Sequence, residues 1–530
     1  MRMIKKMWKY YQRHGIRLLF LKMLDQRKTP TADYGAWIEK HNPDKIELRR
    51  QSQVVFEKKR TISIAVPIFH TPEAFLREMI ESVQKQTYTD WELCIADGSK
   101  DRTAYDIVSE YAKKDNRIKV IFLNENKGIS DNTNAALAVC SGEYVGLLDH
   151  DDFLAPNALF EVRCAIEKKG PDIIYTDEDK VSADGRMFSE PHFKSDFNEE
   201  LLRSNNYICH FFVVKKTLLD IVGGFRREYD GAQDYDFILR CTEKANRIEH
   251  IPKPLYHWRT HPESTAKNPE SKKFAYEAGK QAIEEHIKRK GENGIVMYTE
   301  FPGFYHVQYN IGNEDKVLIL IVNKNKRTNI KKCINSIKRT SGYSNYEIRV
   351  IDSLEKITTI TISAEIILVV DSSIKMISKN WMQEMIGNCQ RKQVGAVGVK
   401  IYNRNETVYH GGIVNGMNGY AFEGMPRVRA GYFHRDSIMQ NMSGVTSSFM
   451  MFRVSVLKSV LQNCKQSIED EIELNSQIIG LGKTIIYNPN VECYVDDSLQ
   501  IQEKKQMKSE KDKYYNENLS LIAPGYILKD

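Results

Sequence analysis

Several features that would assign a function class at once are missing from this chain of 530 residues. Its nine cysteines are scattered and form no Cys-x-x-Cys pair, which favours reduced thiols over a disulfide framework or a zinc site. No apolar run approaches the roughly 18 residues that span a bilayer, and no small-residue cleavage site follows an apolar core near the start. The sequence therefore predicts a cytoplasmic protein that is soluble or attached peripherally to a membrane.

Two common phosphate-binding loops are also missing. No Gly-x-Gly-x-x-Gly follows the first predicted strand, which argues against a nucleotide-dependent dehydrogenase, and no Walker-type loop is present for ATP hydrolysis. The net charge of +7 is modest for this length, and basic residues beyond the N-terminus are interspersed with acidic ones. We therefore expect no nucleic-acid partner.

Residues 1–60 are predicted to form a basic N-terminal helical region. Its first part combines apolar residues with the basic residues Arg2, Lys5, Lys6, Lys9, Arg13, Arg17 and Lys22. Helices of this composition lie on anionic membrane surfaces. A basic helix packed on the body of the protein fits the same pattern, so both interpretations stay open.

From residue 61 onward, predicted strands alternate with predicted helices. Residues 62–66, 91–96 and 144–148 are apolar and strand-like, and they are followed by Pro67, Asp97 and Asp149. This alternation predicts an α/β fold with a mostly parallel, Rossmann-like sheet covered on both faces. Ligands of such sheets bind beyond the carboxyl ends of the strands, where these three residues are expected to meet.

Three carboxylates crowd together directly after the strand at residues 144–148. Residues 149–152 read Asp-His-Asp-Asp, and carboxylates this close repel one another unless a cation binds them. A divalent metal that holds a diphosphate suits this pattern, because hard cations prefer oxygen ligands. A solvated loop or a helix N-cap is the alternative.

The second half of the chain repeats the pattern of the first. The spacing from Ile62 to Asp97 equals that from Val317 to Asp352, and the strand at residues 366–370 ends in Asp371, with Ser373 in the place of Asp151. The sequence therefore predicts two tandem copies of one fold, at residues 61–300 and 316–500. Residues 501–530 are predicted to form a charged helix and a loose terminus.

Short motifs of the first copy occur in a specific order. After Asp97-Gly98-Ser99 and the run at 149–152 comes Gln233-Asp234, and further blocks lie between residues 65 and 259. With these motifs the chain resembles the family 2 glycosyltransferases of GT-A fold over residues 61–266. It looks most like bacterial members that build surface polysaccharides, such as rhamnosyltransferases, and the second copy resembles a degenerate GT-A domain.

The resemblance implies roles for individual residues. Pro67, Asp97, Asp149 and Asp151 would bind the nucleotide-sugar donor, and Asp149, Asp151 and His257 would hold Mn²⁺ or Mg²⁺. Asp234 would be the general base that takes a proton from the acceptor hydroxyl. A helix N-cap is the alternative for Asp234, and a structural hydrogen bond is the alternative for His257 and for His261. His192 and His210 receive no role from the sequence.

The resemblance also implies a reaction. A sugar from dTDP-rhamnose or a UDP-hexose would be transferred, with inversion, to a hydroxyl of a growing glycan linked to polyprenyl diphosphate, at the inner face of the membrane. The alternative is a non-catalytic binding or assembly subunit on the same scaffold, to which the second copy is suited because it lacks the carboxylate cluster.

Overall fold

The computed structural model describes residues 2–25, 33–99, 102–261, 273–324, 330–463, 468–496 and 511–529. Within these ranges the chain forms two large β-sheets, each with helices on its faces, and a two-stranded hairpin between them. No helix in this part of the chain is both long and apolar enough to cross a membrane.

The N-terminal region is helical, with α1 at Arg2–Leu24, α2 at Tyr34–His41 and α3 at Lys45–Ser52. Gly15 interrupts α1 with a positive φ of 79°, a conformation that glycine tolerates better than other residues. Beyond this break Leu18 is buried, whereas Ile16 and Phe20 are exposed. The side chains of the predicted basic residues Arg2, Lys5, Lys6, Lys9 and Arg13 lie outside the described part.

The first sheet contains nine strands in the spatial order β3-β2-β1-β4-β8-β6-β9-β5, with β7 beside β6. Their bounds are β1 Ile62–Ile68, β2 Trp91–Asp97, β3 Ile118–Phe122, β4 Tyr144–Leu147, β5 Phe153–Leu154, β6 Ile173–Ser182, β7 Phe188–His192, β8 Phe212–Lys215 and β9 Ile248–Thr260. Strand β1 pairs in parallel with β2 and β4, and β8 runs antiparallel between β4 and β6. The predicted α/β fold with a mostly parallel sheet is confirmed.

Helices cover both faces of this sheet. The helices of this half are α4 Glu73–Gln84, α5 Arg102–Lys114, α6 Ile129–Ala138, α7 Ala158–Lys169, α8 Glu199–Ser204, α9 Lys216–Val222, α10 Gln233–Lys244 and α11 Lys273–Arg289. Alternate residues of β1 face opposite layers: Ile64 packs in one cluster with Met79 of α4, whereas Ala65 packs in another with Ala136 of α6. Burial on both faces explains why β1 and β2 read as continuous apolar runs.

Pro67 does not end the first strand, as the sequence suggested, because β1 continues to Ile68. The carbonyl of Ala65 accepts a hydrogen bond from Leu148 on the β4 side, where strand pairing then stops. Pro67 faces the same side two residues later, so its missing N–H group leaves no bond of the sheet unmade.

The second sheet repeats the order of the first, with one strand missing at one edge and one strand, β18, added beside β20. Its order is β13-β12-β14-β19-β16-β20-β15, with β17 beside β16 and β18 beside β20. The bounds are β12 Val317–Val322, β13 Tyr346–Ile351, β14 Ile366–Asp371, β15 Ile374–Met376, β16 Val394–Tyr402, β17 Val408–His410, β18 Gln440–Met442, β19 Phe449–Arg453 and β20 Thr484–Val495. Each neighbouring pair along this order has the same parallel or antiparallel sense as its counterpart in the first sheet, which confirms the predicted second copy.

The missing strand is the counterpart of β3. Residues 98–143 of the first copy hold α5, β3 and α6, whereas residues 352–365, all of them described, hold only a short 3₁₀ turn at Leu354–Thr358. The helices of the second copy are α12 Ile330–Thr340, α13 Trp381–Cys389, α14 Val454–Asn463 and α15 Glu471–Gly480. The second copy therefore lacks the edge strand, and β13, the counterpart of β2, forms the edge of its sheet.

The two halves pack closely against each other. Besides the hairpin of β10 Gly294–Tyr298 and β11 Tyr305–Tyr309, reciprocal hydrogen bonds join Asn198 and Asn441: the Asn198 amide donates to the Asn441 carbonyl, and the Asn441 N–H donates to Asn198 Oδ1, both at 2.9 Å. Arg391 of the second half forms an ion pair with Glu200 of the first, and both are buried.

The predicted charged helix and loose C-terminus are wrong for residues 511–529, and residues 501–510 lie outside the described part. Residues 511–529 contain no helix, and Tyr514, Tyr515 and Asn516 are buried. The Asn516 side chain donates hydrogen bonds to Asp177 Oδ2 at 2.9 Å and to the Lys194 carbonyl at 2.8 Å. Aromatic burial and these bonds fix a segment whose lysine content suggested an exposed tail.

Candidate functional site

The carboxyl ends of β1, β2 and β4 lie side by side, as the sequence predicted for Pro67, Asp97 and Asp149. Asp97 is the last residue of β2 and is buried. Its Oδ1 atom accepts a hydrogen bond from the Ser99 N–H at 2.9 Å, which closes a tight turn at the edge of the sheet. The Ser99 hydroxyl in turn accepts from the N–H of His70, just after β1.

The three carboxylates of the run at residues 149–152 have different surroundings. The Asp149 side chain is half exposed, at 52%, and Asp151 is exposed at 21%. Asp152 is fully buried: it accepts from the Tyr256 hydroxyl at 2.6 Å and from the Arg259 N–H at 2.8 Å. Asp152 therefore ties the loop to β9, and only Asp149 and Asp151 are open to a ligand.

His261, rather than His257, lies beside Asp151. The Nε2 atom of His261 is 2.9 Å from Asp151 Oδ2. His257 is on β9 and is buried, with its Nδ1 atom 2.6 Å from Asp179 Oδ1. The other oxygen of Asp179 accepts from Tyr34 of α2. These contacts favour a structural hydrogen bond for His257, whose assignment as a metal ligand stays a prediction.

His210 joins the β4 loop to the interior of the first sheet. Its Nε2 atom lies 3.5 Å from Asp149 Oδ2, and its Nδ1 atom lies 3.3 Å from Glu178 Oε2. Burial opposes protonation of the imidazole, but its contacts with Cys209, Asp149 and Glu178 outweigh this effect and raise the pKa of His210 well above its usual value. Partial desolvation opposes ionisation of the half-exposed Asp149, but His210 outweighs this effect and lowers the pKa of Asp149.

Asp234 lies in the first turn of α10, next to Cys209. The N-cap of α10 is Ala232, so Asp234 does not cap the helix. Its Oδ2 atom accepts from Asn206 Nδ2 at 2.9 Å and is 3.6 Å from Cys209 Sγ. Burial raises the pKa of Asp234 above its usual range. A carboxylate with a raised pKa is a stronger base, which suits proton abstraction.

The other acidic residue of this turn is structural. Asp236 is fully buried and forms ion pairs with Arg226 at 2.5 Å and Arg240 at 2.9 Å.

The loop at residues 206–210 connects Asp234 to Asp149: Cys209 contacts Asp234, and its neighbour His210 contacts Asp149.

Comparison with known proteins identifies the first half of the chain. Residues 63–221 match the family model "Glycosyl transferase family 2". These residues form a family 2 glycosyltransferase domain. All the strands from β1 to β8 begin and end within or one residue beside this match, and it includes Asp97, Asp149, Asp151 and His210.

Two curated relatives match most of the chain. An uncharacterised protein, y4gI, of Sinorhizobium fredii is 34% identical over 82% of this chain and 53% of its own length. The O-antigen biosynthesis protein RfbC of Myxococcus xanthus is 31% identical over 84% of this chain and 38% of its own length. The chain thus spans about half or less of these relatives. A crystal structure of S. aureus TarS is 24% identical, with a TM-score of 0.36 over 43% of this chain and 65% of that one.

The glycosyltransferase domain offers two oxygen ligands to a divalent cation. Within the described ranges, no group of three or more His, Cys, Asp or Glu side chains is arranged to hold a metal ion by itself. Mg²⁺ and similar cations often bind through one or two carboxylates and take their remaining ligands from water and substrate phosphates. The partly exposed Asp149 and Asp151 fit such a site, which a diphosphate would complete.

Three residues to which the sequence gave no role connect Asp149 and Asp234. His210, Cys209 and Asn206 belong to the loop before β8, which runs antiparallel to β4. No local motif marks this loop, because its position depends on strand pairing between distant segments. The order of the strands, rather than any spacing, brings His210 to Asp149.

Proposed function

We propose that this chain is an inverting glycosyltransferase that moves a sugar from a nucleotide-diphosphate donor, dTDP-rhamnose or a UDP-hexose, to a hydroxyl of a growing, lipid-linked bacterial surface polysaccharide. One observation carries this proposal: two neighbouring residues of one loop contact both carboxylates. His210 contacts the half-exposed Asp149, and Cys209 contacts Asp234, the carboxylate with the raised pKa. A donor-binding and a proton-accepting carboxylate at one cleft are what the reaction requires. The name of the relative RfbC supports the choice of product class.

On the donor side, Asp149 and Asp151 would hold Mn²⁺ or Mg²⁺ against the two phosphates. Such a cation, when bound, stabilises the negative charge that develops on the departing nucleoside diphosphate. The imidazole of His261 holds the Asp151 carboxylate in place, and His210 keeps Asp149 ionised by lowering its pKa. Asp97, at the end of β2, would face the base or ribose.

On the acceptor side, Asp234 would take the proton of the attacking hydroxyl. The acceptor oxygen forms a bond to the anomeric carbon while the bond from that carbon to the diphosphate breaks, which inverts the configuration. The amide of Asn206 orients the Asp234 carboxylate, and burial strengthens it as a base.

The proposal includes contact of α1 with the inner face of an anionic membrane. Trp8, Ile16, Phe20 and Leu24 of this helix are more than half exposed, and such residues insert between lipid headgroups. The full chain should then sediment with vesicles that contain anionic lipid, and Phe20→Ser should reduce the bound fraction. Equal binding of this variant would contradict the assignment.

The decisive experiment measures transfer and donor hydrolysis with dTDP-rhamnose and a panel of UDP-hexoses, first with Mn²⁺ and then with a chelator. We expect Asp151→Asn to lose at least about 100-fold in turnover, because it removes a ligand of the charge-stabilising cation. Asp106→Asn, the same change at an exposed position on α5, is the matched control. A chain that binds glycan but turns over no donor would instead support the non-catalytic alternative.

A further inference from the structure

The second half of the chain has a strongly basic cavity of its own. This cavity of about 650 Å³ lies where α1 and α12 meet the second sheet. Among its described lining residues are five basic side chains and a single acidic one: Arg17, Lys332, Arg339, Lys375, Arg404 and Asp496. Like charges gathered in one concave site repel one another and raise the local concentration of anions.

The position of this cavity corresponds to the acidic end of β4 in the first half. It includes Ser373, which follows β14 as Asp151 follows β4. The nearby Asp371 is already satisfied, because its Oδ1 atom accepts from the N–H and the hydroxyl of Ser373 at 2.8 and 2.6 Å. The second copy thus keeps one of the two carboxylates, Asp371, and has a serine in place of the other, while basic residues from other positions line its cavity and can bind an anion directly.

Three of the five cations keep their charge free for a ligand. Arg404 forms an ion pair with Asp496, and Arg17 lies 3.4 Å from Glu406. Lys332 and Arg339 on α12 and Lys375 on β15 are exposed, and no carboxylate of the described residues forms an ion pair with them. A ligand of one negative charge would leave most of this charge uncompensated, which favours a multiply charged anion.

We infer that this cavity binds a diphosphate ester directly, without a divalent metal. Arginine and lysine side chains are the usual partners of phosphate oxygens. Asn335 also lines the cavity and is exposed, so its side-chain amide supplies a neutral hydrogen-bonding group for the ester part of the ligand. The diphosphate could belong to a nucleotide or to a lipid-linked glycan, and the site does not depend on whether the first half is catalytic.

Calorimetric titration of the full chain with pyrophosphate, in the presence of EDTA, tests this inference. We expect saturable binding that the double variant Lys332→Gln/Arg339→Gln weakens at least about tenfold. The matched control is Lys331→Gln/Lys338→Gln, which removes two charges from the same helix outside the cavity and should change affinity less than about twofold. If the α12 variant fails to fold, Lys375→Gln takes its place, because this residue lies on a different element and its replacement should also weaken binding.

Two further arms separate this site from the donor site and identify the source of the diphosphate. Asp149→Asn/Asp151→Asn should leave pyrophosphate binding in EDTA unchanged; loss of binding there would assign it to the first half and overturn the inference. Tighter binding of UDP than of farnesyl diphosphate would indicate a nucleotide, and the reverse a lipid-linked ligand. No binding of any diphosphate, or an equal loss in the pocket and control variants, would also overturn it.

Discussion

The imidazole Nε2 atom of His261 lies 2.9 Å from Asp151 Oδ2. His261 is the first residue after the end of β9. Asp151 is thereby held from outside its own loop, and the main-chain carbonyl of the same residue accepts from Arg259 Nε at 2.8 Å. Both contacts come from the end of β9. The position of a carboxylate proposed to bind metal is therefore set by a strand that is distant in the sequence.

Replacement of His261 should weaken metal-dependent activity. We expect His261→Gln to raise the Mn²⁺ concentration for half-maximal transfer about 10- to 100-fold, as loss of a partner of a metal-binding carboxylate does elsewhere. Metal titration of activity checks this. His257→Gln is the comparison: it should lower the melting temperature through loss of the Asp179 contact, with a smaller effect on the metal requirement. The opposite ranking would support His257 as the ligand predicted from the sequence.

Removal of the proposed base should separate donor binding from transfer. Asp234→Asn keeps the size of the side chain and a hydrogen-bonding group, but the amide cannot take the proton from the attacking hydroxyl of the glycan. We expect transfer to fall about 100-fold or more while donor affinity changes less than about threefold. Asp220→Asn, an exposed aspartate on α9, should retain activity. Full turnover by Asp234→Asn would remove this residue from the mechanism.

The pH dependence of transfer should report the ionisation of Asp234. Because burial raises its pKa, the carboxylate gains a proton at a higher pH than an exposed aspartate, and activity should fall as the pH drops through that raised value. The Asn206 amide donates to the ionised carboxylate and favours it. Asn206→Ala should therefore move the acidic limb upward by roughly half to one pH unit. A downward shift would contradict this arrangement.

The C-terminal segment should stabilise the first half, to which Asn516 is hydrogen-bonded. Asn516 is 3% exposed and donates to the buried Asp177 and to the Lys194 carbonyl. Asn516→Ala leaves these groups short of a partner and should lower the free energy of unfolding by about 1–3 kcal/mol. Chemical denaturation measures the change. Glu517→Ala, at the exposed neighbouring position, should stay within about 0.5 kcal/mol of the parent chain.

The positions of the parallel strands along the chain could be predicted where apolar runs end in polar residues. The strands that end at or just before Asp97, Asp149 and Asp371 were marked in this way, and the equal spacing of Ile62–Asp97 and Val317–Asp352 indicated the second copy. Local composition carries this information, because a buried parallel strand must be apolar throughout.

Contacts that depend on antiparallel pairing or on long loops could not be predicted. His210 reaches Asp149 only because β8 pairs with β4, and Asp152 is buried only because β9 returns beside its loop. The run of three carboxylates looked uniform in the sequence, although one of them is structural. The lysine-rich C-terminal region looked solvated, since nothing in its composition indicates the buried partners of Tyr514 and Asn516.

The burial of residues 511–529 has a practical consequence for work on either half. Asp196 donates its N–H to the Lys513 carbonyl, and the Asn415 N–H donates to Asp512 Oδ2, so one peptide stretch bridges the first and second copies. Expression of the first copy alone would remove residues 511–529 and expose polar backbone groups beside β6. The roles of the two halves are better separated by point substitutions in the intact polypeptide than by truncated fragments.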